Sequence, residues 1–205
     1  MGDDSPSFHL TFDGAPHCPH TDALLDVLAA HGVTATFFLE GHRLEDQAEC
    51  ARRIVTAGHE IANHSYTHPM MDELDPEEVV GEVRRAQEVI HHETGVRTRQ
   101  FRPPWGRLSD EAVRAVHATG HDVILWNVSI RDWEGPDAAS VANRILRGLA
   151  DGCIVALHDR VEWNPEVLEL VIPRIEAAGY SFRPVSEARD GDAVLRRPTG
   201  GTVVS

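Results

Sequence analysis

The sequence predicts an α/β fold in which about seven parallel strands form a barrel. Short apolar runs with strand-like composition alternate with amphipathic helical stretches along the 205-residue chain. Several helix-to-strand junctions share one pattern, a glycine followed at once by a strand, as in AHGVTATFF, TAGHEIA, ATGHDVIL and AAGYSFRP. Regular alternation of this kind is typical of parallel sheets with helical crossovers. Seven strands with six helices favour a barrel over an open sheet.

Seven apolar runs are the predicted strands, in chain order. Each is short and is bounded by turn residues or by a helical pattern, which is the usual setting of a buried strand in an α/β domain. The predicted strands cover residues 8–12, 34–39, 59–62, 99–103, 122–128, 153–157 and 180–184.

Six amphipathic segments are the predicted helices. The first has Thr21 as a candidate N-cap, and the third has Asp75 as its cap with Pro76 at the first helical position. Gly95 is a suitable stop for the third helix. The predicted helices lie near residues 21–31, 47–57, 76–94, 109–119, 137–150 and 165–178.

The chain is predicted to form one domain over residues 1–187, because no linker divides it. Residues 188–205 lose the periodicity of the preceding sequence and are predicted to form a loose C-terminal tail.

Charge and composition narrow the classes of partner. The formal net charge of −14 argues against nucleic acid and against an anionic membrane surface. A small-molecule or carbohydrate substrate remains the expected partner, and the oligomeric state stays open. All 19 basic residues are arginine, so catalysis through a lysine Schiff base is excluded.

The cysteines and the first residues predict a cytoplasmic protein. Cys18, Cys50 and Cys153 have no CxxC spacing, and an odd count without an evident pairing predicts reduced thiols. The opening MGDDSPSF has neither a basic region nor an apolar run, as a signal peptide would require. No apolar stretch approaches the length that spans a membrane.

Polar residues follow several predicted strands, and in barrels of this type reactive residues lie just past the carboxyl ends of strands. Asp13 comes directly after an apolar strand, although it could also start a turn before Pro16. His64 and His68, in NHSYTH, are four residues apart. On a helical turn their rings would share one face about 5–6 Å apart and could chelate a divalent transition metal. A chain with 13 histidines can also contain such a pair by chance.

Three further stretches place polar groups at strand ends. Arg102, in FRPPWG, could orient a carboxylate bidentately, or the two prolines could simply stiffen a loop. Asp132 lies between Trp126 and Trp133, which could equally be core residues. His158, in IVALHDR, ends an apolar strand, and an imidazole there suits a general acid near neutral pH.

Five motifs in this order give the chain a family resemblance. TFDGAPH, HSYTH, RPPWG, RDW and LHD resemble the successive motifs of the polysaccharide deacetylases with NodB homology, carbohydrate esterase family 4. The resemblance runs from about Phe8 to Glu187. It implies a distorted parallel (β/α) barrel and metal-assisted hydrolysis of an N-acetyl group.

The resemblance also implies roles for the acid and base residues. Asp13 matches the catalytic base that deprotonates the attacking water, and Arg102 matches the residue that orients this base. His158 matches the general acid that protonates the leaving amine, and Asp132 matches the residue that tunes the acid.

The metal and substrate contacts are implied in the same way. His64 and His68 match two ligands of a divalent transition metal, with zinc expected first and nickel or cobalt as alternatives. The backbone N–H of Trp105 matches an oxyanion donor, and Trp133 would help to wall the acetyl pocket.

One position departs from the family pattern. The first motif of the family carries two adjacent aspartates, a base and then a metal ligand, but the second position here is Gly14. Asp13 could itself coordinate the metal, or a neighbour in the same loop could replace the missing ligand. The candidates for such a neighbour are His17, His20 and Cys18. Otherwise the site would hold little metal.

The expected function is therefore hydrolysis of an N-acetyl or other N-acyl group on an amino sugar or a sugar-containing small molecule. Two alternatives stay open. Asp13 and His158 could carry out metal-free acid–base chemistry on a small metabolite, such as isomerisation, elimination or ring opening. The chain could also be an inactive carbohydrate-binding module that uses Trp105, Trp126 and Trp133.

Overall fold

The computed structural model describes residues 5–128, 130–134, 137–189 and 193–195. Within these ranges eight strands form one sheet in the order β6-β1-β2-β3-β4-β5-β8, and β7 also pairs with β1. Every pairing is parallel except the antiparallel pairing of β5 with β8. The strands are β1 Ser7–Ala15, β2 Thr36–Leu39, β3 Glu60–Asn63, β4 Gln100–Phe101, β5 Asp122–Ile124, β6 Cys153–His158, β7 Ser181–Phe182 and β8 Val194–Leu195.

The sheet curls so that the segment after β5 approaches β6. After β5, a parallel bridge joins Val128 to Val155 in β6, and the Asn127 side-chain oxygen accepts a hydrogen bond from the Ile154 N–H at 2.8 Å. The path of strands from β6 through β1 to β5 therefore returns to β6. This arrangement confirms the predicted distorted parallel (β/α) barrel.

All six predicted helices are present: α1 His20–His31, α2 Gly41–Thr56, α3 Pro76–Thr94, α4 Asp110–Ala118, α5 Ala138–Arg147 and α6 Asn164–Ala177. The predicted Asp75 cap and Gly95 stop of α3 are both confirmed. Helix α2 begins six residues before its predicted start. Its helical geometry is interrupted at Gln47 (φ −128°, ψ 26°), and this kink separates the first turn and a half of the helix from the part that was predicted.

Strand β1 positions the site because its two faces differ. Phe8, Leu10 and Phe12 belong to the main core cluster, which also contains the buried faces of α1 and α6. Alternate residues of a strand point to opposite sides. His9, Thr11 and Asp13 are also buried, so the opposite face of β1 carries polar groups inside the barrel.

Two predictions are corrected by the fold. Val194–Leu195, within the predicted loose tail, form β8 beside β5; short strands of two residues carry too little periodicity to be recognised. Residues 190–192 and 196–205 of that tail lie outside the described residues. Cys18 and Cys50, predicted to be reduced, form a disulfide between the loop after β1 and α2, 32 residues apart in sequence. None of the helices in the described ranges is long and apolar enough to cross a membrane.

Candidate functional site

A cleft of about 800 Å³ opens at the carboxyl ends of the strands. Asp13 and His158 stand at the ends of β1 and β6, while Glu40 and His64 follow β2 and β3 directly. The cleft is lined by Asp13, Gly14, Glu40, His42, Arg43, His64, Thr67, His68, Trp105, Trp126, Ile130, Arg131, Trp133, Glu134, Ala156, His158, Arg160 and Val161.

A second groove of about 860 Å³ lies at the opposite ends of β2, β3 and β7. Its lining includes Val33, His59, Glu60 and Tyr180. We assign the functional site to the first cleft, because buried ionisable groups from several strands converge there. The second groove has a similar volume, but its described lining does not bring together buried ionisable groups from several strands in this way.

Asp13 and Arg102 form a buried ion pair in the barrel interior. The Asp13 Oδ1 accepts a hydrogen bond from Arg102 Nη1 at 2.7 Å, and the Arg102 side chain is fully buried. Burial alone raises the pKa of Asp13. The charges of Arg102, His64 and His158 outweigh it, so the pKa lies below its usual value. Asp13 is therefore held as a carboxylate.

The remaining donors of Arg102 bind other parts of the barrel. Its Nη1 also donates to Thr11 Oγ1 at 2.6 Å, its Nε to the Ile124 carbonyl at 3.2 Å and its Nη2 to the Leu125 carbonyl at 3.0 Å. The guanidinium carbon lies 4.0 Å from the centre of the Phe38 ring. The predicted contact with a carboxylate is thus present through one oxygen, and the bidentate form is not, because the other donors are used by β1 and the end of β5.

Asp132 holds the His158 ring and backbone at once. Asp132 Oδ1 pairs with His158 Nδ1 at 2.8 Å, and Asp132 Oδ2 accepts from the His158 backbone N–H at 2.7 Å. Asn164 Nδ2 donates to the same Oδ2 and to the His158 carbonyl, both at 2.8 Å. Burial lowers the pKa of His158, but the hydrogen bond and charge of Asp132, with the charge of Asp13, raise it above its usual value. His158 therefore keeps its proton to higher pH than a free histidine.

His64 and His68 meet in a loop. Their ring centroids are 5.0 Å apart, as the spacing predicted, but the predicted helical turn is wrong. Positive φ angles at Ser65 (67°) and His68 (61°) bend the chain after β3 and bring the rings together.

Both rings are suited to binding a metal as neutral imidazoles. His64 Nδ1 lies 2.8 Å from the Arg102 carbonyl, which fixes the ring and leaves Nε2 as the free donor atom. Burial lowers the pKa of His64, and burial together with the charge of His64 lowers the pKa of His68 to about 4.

Two tryptophans flank the histidines at the mouth of the cleft. Trp105 is 61% exposed, and its ring centroid lies 5.2 Å from that of His68. Trp133 is 55% exposed and packs edge-to-face on His158 at 4.7 Å. Exposed indoles that line a cleft are suited to contacts with a bound ligand. Neither is a core residue, whereas Trp126 packs against a buried apolar cluster.

Gly14 faces a carboxylate that the sequence analysis did not identify. Gly14 has φ +75°, and a Cβ placed on it would lie 3.1 Å from Glu40 Oε1. Glu40 is 4% exposed, and its Oε2 accepts a hydrogen bond from Arg43 Nε at 2.7 Å. Burial raises the pKa of Glu40, but Arg43, His68 and His64 lower it more. An ionised carboxylate therefore stands beside Gly14.

The three predicted neighbours of Gly14 are less suited to replacing a ligand. The Cys18 sulfur is bonded to Cys50, so no thiolate is available. His17 and His20 stack on each other at 5.2 Å, and neither lines the cleft within the described residues. Neither ring therefore shares the cleft lining with His64 and His68 among the described residues.

The side chains of the cleft include the types of ligand that a divalent transition metal binds. Two neutral imidazoles and a carboxylate are common ligands of zinc. Among the described residues, one group has three metal-binding atoms within 4.8 Å of one another. This group is Cys18, Asp22 and Cys50, and its two cysteines are joined in a disulfide, so they offer no thiolate. The side chains around His64 and His68 must therefore converge further on binding.

Comparison with known proteins identifies the family. The sequence profile described as "Polysaccharide deacetylase" matches residues 2–124 of this chain. The chain belongs to the polysaccharide deacetylase family. This membership confirms the resemblance drawn from the five motifs, and deacetylases of the family generally depend on a metal ion.

Curated relatives of this family member include a chitooligosaccharide deacetylase of Rhizobium leguminosarum bv. phaseoli. It is 36% identical over 160 residues, which cover 77% of this chain and 70% of that protein. The peptidoglycan-N-acetylglucosamine deacetylase PgdA of Listeria monocytogenes is 30% identical over 178 residues, or 87% of this chain. The chain spans only 38% of the length of the Listeria protein.

Solved structures of the family have the same fold. A family 4 carbohydrate esterase from Streptomyces lividans, in complex with acetate, has a TM-score of 0.85 and 26% identity, covering 95% of this chain and 98% of that one. A CE4 family pseudoenzyme from Bacillus anthracis has a TM-score of 0.86 and 31% identity, covering 90% of this chain and 66% of that one. A mutant of that pseudoenzyme with restored enzymatic activity is 32% identical.

Two residues at the site escaped the sequence analysis. Glu40 follows β2 directly, so the rule that singled out Asp13 could have found it. Asn164 begins α6 and binds both Asp132 and His158. Its sequence gives no comparable signal, because an asparagine at the start of a helix usually serves as a cap.

Proposed function

We propose that this chain is a metal-dependent hydrolase that removes the N-acetyl group, or another N-acyl group, from an amino sugar or a sugar-containing small molecule. One observation carries the proposal. Asp13 and His158 are direct neighbours on β1 and β6 and open to one cleft, one held as a carboxylate and the other as a readily protonated imidazole. Amide hydrolysis requires a base and an acid in these opposite protonation states.

Asp13 is the proposed base. Its carboxylate accepts a proton from the water that attacks the acyl carbon. Arg102 keeps the carboxylate ionised and holds it in one orientation through the bond at 2.7 Å. Since the guanidinium itself is fixed by carbonyls and Thr11, the base is oriented before substrate arrives.

His158 is the proposed acid. It gives its Nε2 proton to the leaving amine nitrogen, because Nδ1 is bound to Asp132. Asp132 keeps the ring in that orientation and stabilises its charged form. Asn164 fixes Asp132 in turn.

His64 and His68 are the proposed protein ligands of the metal, with zinc expected first and nickel or cobalt as alternatives. When bound there, the ion supplies Lewis-acid polarisation of the acyl carbonyl and lowers the pKa of water. Asp13 as a third ligand is the less favoured arrangement, because its Oδ1 is already bound to Arg102.

The proposed substrate contacts lie around Trp105 and Trp133. The backbone N–H of Trp105 would donate to the developing oxyanion, and Trp133, packed on His158, would wall the acyl group. The names of the relatives, chitooligosaccharide and peptidoglycan-N-acetylglucosamine deacetylases, support an N-acetylated amino sugar as the substrate.

The glycine at position 14 favours a second candidate function, in which the chain has no deacetylase activity. Such a chain would bind sugars through Trp105, Trp126 and Trp133, or would use Asp13 and His158 without a metal. The similarity to a pseudoenzyme is compatible with this candidate. The complete Asp13–Arg102 and Asp132–His158 pairs favour hydrolysis.

Acetate release tests the proposal. Purified protein loaded separately with zinc, cobalt and nickel would be incubated with N-acetylglucosamine, short chitooligosaccharides and peptidoglycan fragments. We expect acetate from at least one substrate, loss of release in Asp13→Asn, and unchanged release in Glu49→Gln, which alters an exposed acid on α2. No acetate from any combination would overturn the proposal, and turnover that survives exhaustive chelation would favour the metal-free alternative.

We also propose a cytoplasmic location for this chain. The Cys18–Cys50 disulfide counts against it, because such bonds persist mainly in oxidising compartments. Cell fractionation of the native host with an antibody to this chain would decide the question.

A further inference from the structure

We propose that Glu40 replaces the carboxylate missing at position 14 and serves as the acidic ligand of the His64–His68 metal site. The inference rests on the proposed metal dependence. It differs from the three replacements expected from the loop after β1, since Glu40 belongs to the neighbouring strand connection.

The backbone places Glu40 directly beside Gly14. Strand β1 pairs with β2, and its register shifts between Asp13 and Ala15, so Gly14 is the extra residue of a bulge. The Glu40 N–H then donates to the Ala15 carbonyl at 3.0 Å. The Glu40 side chain consequently enters the space that a side chain on residue 14 would occupy, with Oε1 3.1 Å from the position of that Cβ.

The same segment is attached to the histidine loop. The His64 N–H donates to the Leu39 carbonyl at 2.9 Å, and the N–H groups of Gly41 and His42 donate to the carbonyls of Ser65 and Tyr66, each at 3.0 Å. Backbone hydrogen bonds on both sides of Glu40 therefore tie it to the chain between the two histidines. Glu40, His64 and His68 all line the same cleft.

One oxygen of Glu40 is held and the other is available. Oε2 accepts from Arg43 Nε at 2.7 Å, whereas Oε1 has no hydrogen bond among the described residues. Because Glu40 lines the cleft, this second oxygen can be reached by a cation that enters the cleft. Ligating carboxylates are commonly oriented by a second hydrogen bond of this kind, and Arg43 would supply it.

Because of this geometry, a carboxylate near His64 and His68 can come from residue 14 or from residue 40, but not from both. A side chain at residue 14 would crowd Glu40 Oε1, and its backbone at φ +75° favours glycine. An acid at both positions would also place two negative charges together. The chain therefore keeps one carboxylate near His64 and His68, delivered from β2 instead of β1.

Metal binding without substrate tests the inference. Metal-free protein would be titrated calorimetrically with zinc and with cobalt, and zinc content would be measured after gel filtration. We expect Glu40→Gln to weaken binding by more than roughly 100-fold, above the loss typical of an outer-shell partner. The double variant Gly14→Asp/Glu40→Gln, which returns the acid to residue 14, should recover most of that loss.

Glu49→Gln is the matched control. Glu49 pairs with Arg52 three residues later, as Glu40 pairs with Arg43, but it is exposed on the same helix. It should bind metal as the parent chain does. If Glu40→Gln does not fold, Glu40→Asp keeps the charge and shortens the reach, and its binding should weaken at an unchanged melting temperature.

Two results would overturn the inference: metal binding in the Glu40 variants equal to that of the parent, or no binding of either ion by the parent. The outcomes for function are separate. Loss of zinc in Glu40→Gln without acetate release by the parent would support Glu40 as a ligand and contradict the hydrolase. Acetate release with zinc retained in Glu40→Gln would do the reverse.

Discussion

The two halves of the cleft differ in how their ionisable side chains are paired with one another. On the side of β1 and β6, Asp13 is bound to Arg102 and His158 to Asp132, so each charge has a fixed partner. On the side of β2 and β3, His64 Nε2 and Glu40 Oε1 have no hydrogen bond among the described residues. The first half holds ionisable groups that are already paired, and the second holds the donor atoms of the proposed metal site.

The largest expected effect falls on the first half. Asp13→Asn should lower kcat/KM by roughly 10²–10⁴-fold, the usual contribution of a general base. Zinc content should stay unchanged, because Arg102 rather than the metal holds this side chain. Steady-state kinetics and elemental analysis of one preparation measure both. Loss of zinc together with activity would instead make Asp13 a ligand.

A pair of histidine variants separates the halves directly. His64→Ala should weaken zinc binding by more than roughly 100-fold, whereas His158→Ala should leave it unchanged, since His158 belongs to the acid–base half. Both variants should lose most of their activity. Equal zinc affinity in the two variants, measured by calorimetry, would contradict the division of the cleft.

Asp132→Asn should produce a smaller loss and a shifted pH profile. Asp132 raises the pKa of His158, so removal of its charge lowers that pKa. Activity that requires protonated His158 should then decline at lower pH than in the parent. The value of kcat should fall by roughly 10–100-fold, less than the roughly 10²–10⁴-fold that loss of a general acid itself would cost. An unmoved alkaline limb in the kcat profile would argue against His158 as the acid.

The smallest expected effect concerns the wall of the cleft. Trp133→Ala removes an exposed indole from the wall of the cleft, and an aromatic contact with a bound ligand is worth about 0.5–1.5 kcal/mol, or about two- to tenfold. The change should appear mainly in KM, with zinc affinity intact. A fall in zinc content would show that the two halves are coupled through this residue.

Much of this architecture could be predicted because its signals are local. Helical and strand periodicities gave the six helices and seven of the strands, and the position after a strand singled out Asp13, His64 and His158. The Gly14 departure could be recognised from the motif alone. Glu40 could have been noticed as the residue that follows β2, but its place beside Gly14 depends on the pairing of β1 with β2 and could not be predicted.

Other features were missed because they depend on distant parts of the chain. The Cys18–Cys50 bond joins residues whose Cα atoms are 6.4 Å apart only after α2 has packed near the loop that follows β1. The spacing of His64 and His68 suggested a helix, yet a loop with two positive φ angles gives the same proximity. Residue spacing thus indicated which groups meet, and not the backbone that brings them together.

Arg102 links the chemistry of this domain to its folding. Its guanidinium joins Thr11 and Asp13 in β1 to the carbonyls at the end of β5, so the group that binds the proposed base also ties distant strands of the barrel. Loss of one partner of a buried ion pair costs about 3–5 kcal/mol, a large part of the stability of a single domain. A chain that changes position 102 is therefore expected to lose folded, soluble protein together with the partner of Asp13.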